Sequence, residues 1–101
     1  MIVVQGSVQI HSEDVAVFRE ASAAMLAATR AEDGCIAYHF AEDFSEPGLV
    51  HFVERWRDDA AMKAHGKSAH MAAFGGAIRK LRMSGMRVVG YAGGEERVLI
   101  G

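Results

Sequence analysis

The succession of strand-like and helix-like segments predicts an α+β fold of the ferredoxin-like type, βαββαβ, with a four-stranded antiparallel sheet. Three observations carry this expectation. Ile2, Val4, Gly6, Val8 and Ile10 alternate with Val3, Gln5, Ser7 and Gln9, the period of a half-buried strand. Two more alternating runs, Cys35 to Glu42 and Leu49 to Trp56, are joined by a turn short enough to make an antiparallel hairpin. The segments between and after these strands repeat their apolar residues at helical spacing.

After the first strand, Ser12 reads as a helix N-cap, with Glu13 and Asp14 adding negative charge to the first turn. Val15, Phe18, Ser22, Met25, Leu26 and Thr29 then form one stripe, and Gly34 supplies the residue that ends the helix. In the second strand Ile36, Tyr38 and Phe40 share one face, and Cys35, Ala37, His39 and Ala41 the other. Asp43, Ser45, Glu46, Pro47 and Gly48 form the turn. A register symmetric about that turn sets Tyr38 opposite Phe52 and His39 opposite His51. Asp58 or Asp59 caps a short helix that Gly66 weakens or ends, and Ser68 starts another through Met71, Phe74, Ile78 and Leu81. Arg87 to Tyr91 reads as a short fourth strand, with Val98 to Ile100 as an added edge.

With both helices on one face, the other face is expected to expose Ile2, Val4 and Val8 beside Ala37, Leu49 and Val53. A second copy packed through the sheet, as a homodimer, would cover it.

The 101 residues fit a single domain spanning 1–101, and 50% hydrophobic with 24% charged residues excludes a disordered chain. A net charge of −2 leaves no electrostatic footprint for nucleic acid. Arg79, Lys80, Arg82 and Arg87 read as a solvated helix end. Cys35 is the single cysteine, so no internal disulfide forms. Neither a targeting segment nor an apolar run long enough for a membrane is visible, and a cytoplasmic protein is the expectation.

No metal site is expected. His65 and His70 are five residues apart, roughly 140° around an ideal helix. His39 and His51 would face each other without a third ligand. The glycine pairs Gly75-Gly76 and Gly93-Gly94 lack the strand–turn–helix setting of a nucleotide loop. What stands out is an aromatic and histidine cluster. Tyr38, Phe40, Phe52 and Trp56 share a sheet face, Met62 and His65 lie one turn apart, and Phe74 lies on the next helix. Glu54 on that same apolar face requires a partner or solvent, as at the edge of a ligand pocket.

The run Glu32-Asp33-Gly34-Cys35-x-x-Tyr38, then Glu54-x-Trp56, then Ala64-His65-x-x-Ser68-x-His70-Met71 resembles the antibiotic biosynthesis monooxygenase family, in its quinol-monooxygenase-like branch. That resemblance implies a dimeric α/β barrel and oxygenation of a small quinol or phenolic aromatic by dioxygen, with no cofactor. It places the tryptophan of Glu-x-Trp on Trp56 and a pocket-lining position on Phe52. Phe52 and Met62 replace the polar amide and tyrosine of the polyketide-oxidising branch. The asparagine, tryptophan and histidine of the haem-degrading branch are absent at their matching positions. Within this resemblance His65, at the pocket edge, is the first candidate base or donor and His70 the second, with Glu54 orienting an imidazole. Tyr38, Phe40, Phe52, Trp56, Met62 and Phe74 would hold a small aromatic or quinone-like ligand. An isomerase acting on a small oxo compound and a non-catalytic ligand-binding dimer are the competing readings.

Overall fold

The computed structural model describes all 101 residues. Strand β1 (Ile2–Ile10) leads through one 3₁₀ turn (Ser12–Asp14) into α1 (Val15–Arg30). The hairpin β2 (Cys35–Glu42) and β3 (Leu49–Trp56) follows, then α2 (Asp59–Gly66), α3 (Ala69–Ile78) and β4 (Met83–Ala92). The sheet is antiparallel with order β2-β3-β1-β4, the expected ferredoxin-like arrangement. One face carries the helices, and Val4, Val8, Ile10, Phe52 and Trp56 meet Phe18, Met25 and Phe74 there in a shared core.

Local details depart from expectation for identifiable reasons. The 3₁₀ turn is capped by His11, whose Nδ1 accepts from the Glu13 N–H, and Asp14 rather than Ser12 stands at the N-cap of α1. Asp14 is engaged elsewhere: its carboxylate accepts from the backbone and guanidinium of Arg82. Helix α1 closes at Ala31, before Gly34. Gly34 instead takes φ +85° in the turn into β2, where a β-carbon would stand 2.6 Å from that of Ala61.

The hairpin register is shifted by two residues from the symmetric one. Phe40 pairs with Phe52, Tyr38 with Glu54, His39 with Val53 and Ala41 with His51. The turn itself sets this, because Asp43 N–H bonds Leu49 O and the Asp43 side chain caps Ser45 and Glu46. An irregularity between Cys35 and Ala37 also reverses the start of β2, so Ile36 is exposed and Cys35 packs on the core.

The uncovered sheet face differs in composition from the expected one. Val4 pairs with Glu54 and Val8 with Val50, which places both valines under the helices. Val3, Gln5 and Ser7 of β1 occupy the open face instead, beside Val53 and Arg55 of β3 and Val89 and Tyr91 of β4. Strand β4 is twice the expected length because the nine-residue β1 offers partners as far as Ile10, opposite Met83. Val98, Leu99 and Ile100 form no strand and are exposed. No helix is long and apolar enough to cross a membrane.

Candidate active site

A cavity of about 370 Å³ lies between the sheet and the helices. Its wall includes Tyr38, Phe40 and Phe52 from the hairpin, Met62 and His65 from α2, and Phe74 from α3, all expected there from strand and helix spacing. Glu54 also reaches it. The lining is otherwise apolar, so these few polar groups fix how a ligand can be oriented.

Trp56 and His70 are not part of that wall. Trp56 is completely buried, because it closes the sheet end of the core, and its indole N–H donates to Glu54 Oε1 at 2.9 Å. Glu54 is therefore occupied by Trp56 and does not orient an imidazole, the role the sequence suggests for it. Burial outweighs this hydrogen bond and pushes the Glu54 carboxyl above its ordinary range.

The residue that holds the imidazoles is Glu32, in the turn after α1. Its Oε2 lies 2.7 Å from His65 Nδ1 and 2.9 Å from His70 Nε2. Three local features build this arrangement. Gly34 reverses the chain so that Glu32 lies over the end of α2. Asp58 caps α2 by accepting from Ala61 N–H, fixing His65 in the last turn. Ser68 then donates to His65 O at 2.7 Å and accepts from Met71 N–H at 3.2 Å, ending one helix and starting the next. The 140° separation assumed a single straight helix. With a break at Lys67–Ser68, His65 and His70 bring their rings to 5.9 Å and meet one carboxylate.

On its other side, His65 Nε2 lies 3.2 Å from the Tyr38 hydroxyl. The ring packs against Trp56 and Tyr38 with centroids 4.9 and 5.0 Å away. His65 is 5% exposed, so it is a buried residue of the cavity wall rather than a pocket-edge one. Burial, then the nearby Glu54 and Glu32 carboxylates, push the Tyr38 phenol far above its usual value, so it remains an O–H donor near neutrality. With Glu32 accepting at Nδ1, the lone pair of His65 lies at Nε2 and accepts from Tyr38. In the sequence Glu32 stands out only as part of the Glu32-Asp33-Gly34 motif; the signal for its role is a carboxylate two residues before the turn glycine.

The remaining histidines stand apart. His39 is exposed beside Arg30, and His51 bonds Asp43 at 2.8 Å. They do not face each other.

Comparison with known proteins agrees with this architecture. The model of the family described as antibiotic biosynthesis monooxygenase matches residues 1–77. YcnE of Bacillus subtilis (strain 168), provisionally named a monooxygenase, is 32% identical over 74 residues, covering 73% of this chain and 78% of that protein. A Deinococcus radiodurans structure, provisionally described as an antibiotic biosynthesis monooxygenase, superposes with a TM-score of 0.92 at 29% identity, covering 100% of both chains. Rv0793 from Mycobacterium tuberculosis gives 0.85 at 26% identity, covering 96% of this chain and 98% of that one.

Proposed function

The chain belongs to the antibiotic biosynthesis monooxygenase family, and on that premise we propose that it oxygenates a small quinol or phenolic aromatic with dioxygen, using no cofactor of its own. The observation that carries this reading is the Tyr38–His65–Glu32 chain, whose Tyr38 and His65 stand in the wall of a largely apolar cavity while Glu32 lies behind them. A planar ring would lie among Phe40, Phe52, Met62 and Phe74, whose surfaces exclude water from it.

The chemistry asks little of the protein beyond binding and proton transfer. His65 takes the quinol proton at Nε2, directly or through the Tyr38 hydroxyl, while Glu32 holds the imidazole by Nδ1. The quinolate gives one electron to dioxygen, and the resulting radical pair joins as a carbon–oxygen bond. The hydroperoxide then loses water to leave a hydroxyquinone. One oxygen atom enters the product and the other leaves as water, with the quinol supplying all four electrons that reduce the dioxygen. Pairing through the open sheet face, whose Val53 is 43% exposed, would give a homodimer with one cavity per subunit.

Oxygen uptake with 1,4-naphthohydroquinone and a panel of related quinols tests the proposal. Uptake above autoxidation is expected, with one labelled oxygen in the product. His65→Gln should lower turnover by about 10²–10⁴-fold, the usual worth of a positioned base. Uptake no faster than autoxidation across the panel would defeat the oxygenase reading. Proton exchange on an oxo compound without uptake would favour an isomerase.

A further inference from the structure

The geometry points to a second use of the same histidines: Glu32, His65 and His70 form a binding site for one zinc-class divalent cation. Three donor atoms from three separate segments, Glu32 Oε2, His65 Nδ1 and His70 Nε2, all lie within 4.8 Å of one another. Two imidazoles and a carboxylate are the donor set of many three-ligand zinc sites, which keep a fourth position open.

The fit can be judged from distances. Ligand atoms ~2.1 Å from zinc in a tetrahedron stand roughly 3.4 Å apart. The carboxylate oxygen lies 2.7 and 2.9 Å from the two nitrogens, so these gaps must widen by about 0.7 and 0.5 Å, while the two nitrogens, within 4.8 Å of each other, settle to the same spacing. Small rotations of Glu32 and His70, whose side chains are 16% and 24% exposed, would supply that widening and give an ion a path from solvent.

The surroundings of His65 support the assignment. A metal-binding histidine is commonly held by a hydrogen bond at its other nitrogen. Here Tyr38 meets Nε2 at 3.2 Å and Trp56 packs on the ring, which aims Nδ1 at Glu32. Bound through Nδ1, His65 would carry its proton on Nε2, donate it to Tyr38, and have no lone pair for a substrate proton. Zinc would then inhibit the proposed reaction. That consequence rests on the proposed function, whereas the binding does not.

The closing experiment separates the two. The chain, stripped with chelator and exchanged, is titrated with zinc chloride by calorimetry and with cobalt(II) by visible absorption. One ion per chain is expected, with the visible bands of four-coordinate cobalt. Glu32→Gln and His70→Gln should each abolish saturable binding while leaving the near-ultraviolet circular dichroism unchanged. Tyr38→Phe should weaken it by about 10–100-fold. Absence of saturable binding to the wild type would overturn the proposal. So would binding that survives in the Glu32→Gln/His70→Gln double variant or is lost in His51→Gln. Zinc binding without any oxygenase activity would uphold the site and defeat only its inhibitory role.

Discussion

Trp56 donates its indole N–H to Glu54 at 2.9 Å, so two residues on the same face of β3 satisfy each other inside the core. The pair explains how a carboxylate stands on an apolar face, and it makes Trp56 more than a packing residue. Trp56→Phe should cost about 2–4 kcal/mol, because it leaves a buried acceptor without its donor and removes packing. Urea denaturation would measure this. Adding Glu54→Leu to the Trp56→Phe variant should recover part of the loss, since removing both partners costs less than orphaning one.

Glu54 also gives a pH dependence. Its folded-state carboxyl is raised by burial, so its contribution to stability is fullest below the unfolded value, ~4.3, and declines as pH rises through the folded value. Glu54→Gln cannot ionise and keeps an oxygen for Trp56. Its stability relative to wild type should therefore improve as pH rises above about 4 and level off once pH exceeds the folded value, as followed by denaturation at each pH. A constant difference across that range would mean that Glu54 is not held in a desolvated site.

Gly34 is required on two counts, a φ of +85° and a β-carbon position 2.6 Å from Ala61. Gly34→Ala should cost about 1–3 kcal/mol for backbone strain alone. It should also loosen the Glu32 turn, so zinc affinity and thermal stability should fall together. A variant as stable as wild type would contradict the close approach.

The fold was largely legible because strand alternation and helical stripes report burial directly. Tyr38, Phe40, Phe52, Met62 and Phe74 could thus be brought to one space from spacing alone. The site's polar geometry was not legible in the same way. Glu32 meets His65 and His70 across 33 and 38 residues of sequence, a contact that no local period encodes. The hairpin register is not legible in the sequence because Asp43 bonds within the turn and moves its centre. The outward turn of Ile36 is not legible in the sequence because an irregularity in β2 breaks the strand alternation there.

Val53 tests the proposed assembly. It lies on the open face between Gln5 and His39, its partners on the neighbouring strands, so a second sheet would bury it. Val53→Asp should place an unpaired charge in that interface and weaken pairing by several kcal/mol, with little effect on the isolated fold. Sedimentation equilibrium reads both results. A wild type that is monomeric at micromolar concentration, or a variant that dimerises equally well, would reject pairing through this face.

His65 carries the most demanding prediction. As a pocket-edge imidazole it would carry little packing, and replacing it with alanine would leave the melting temperature nearly unchanged. The structure instead buries it to 5% exposure, against Trp56 and Tyr38, with hydrogen bonds at both ring nitrogens. His65→Ala removes the ring from a packed site and deprives the Tyr38 hydroxyl of its acceptor, which should cost about 2–4 kcal/mol. For a chain of this size that corresponds to a fall of roughly 10–20 °C in Tm. His65→Gln, which fills part of the space and keeps a polar group near Tyr38 or Glu32, should lose less than half as much. Both variants should lack zinc binding, and both should lose turnover if the quinol reaction is confirmed. Calorimetric melting of the two variants beside the wild type decides the matter. An alanine variant that melts with the wild type would show that the ring is not held as described, and the base would then have to be sought at His70.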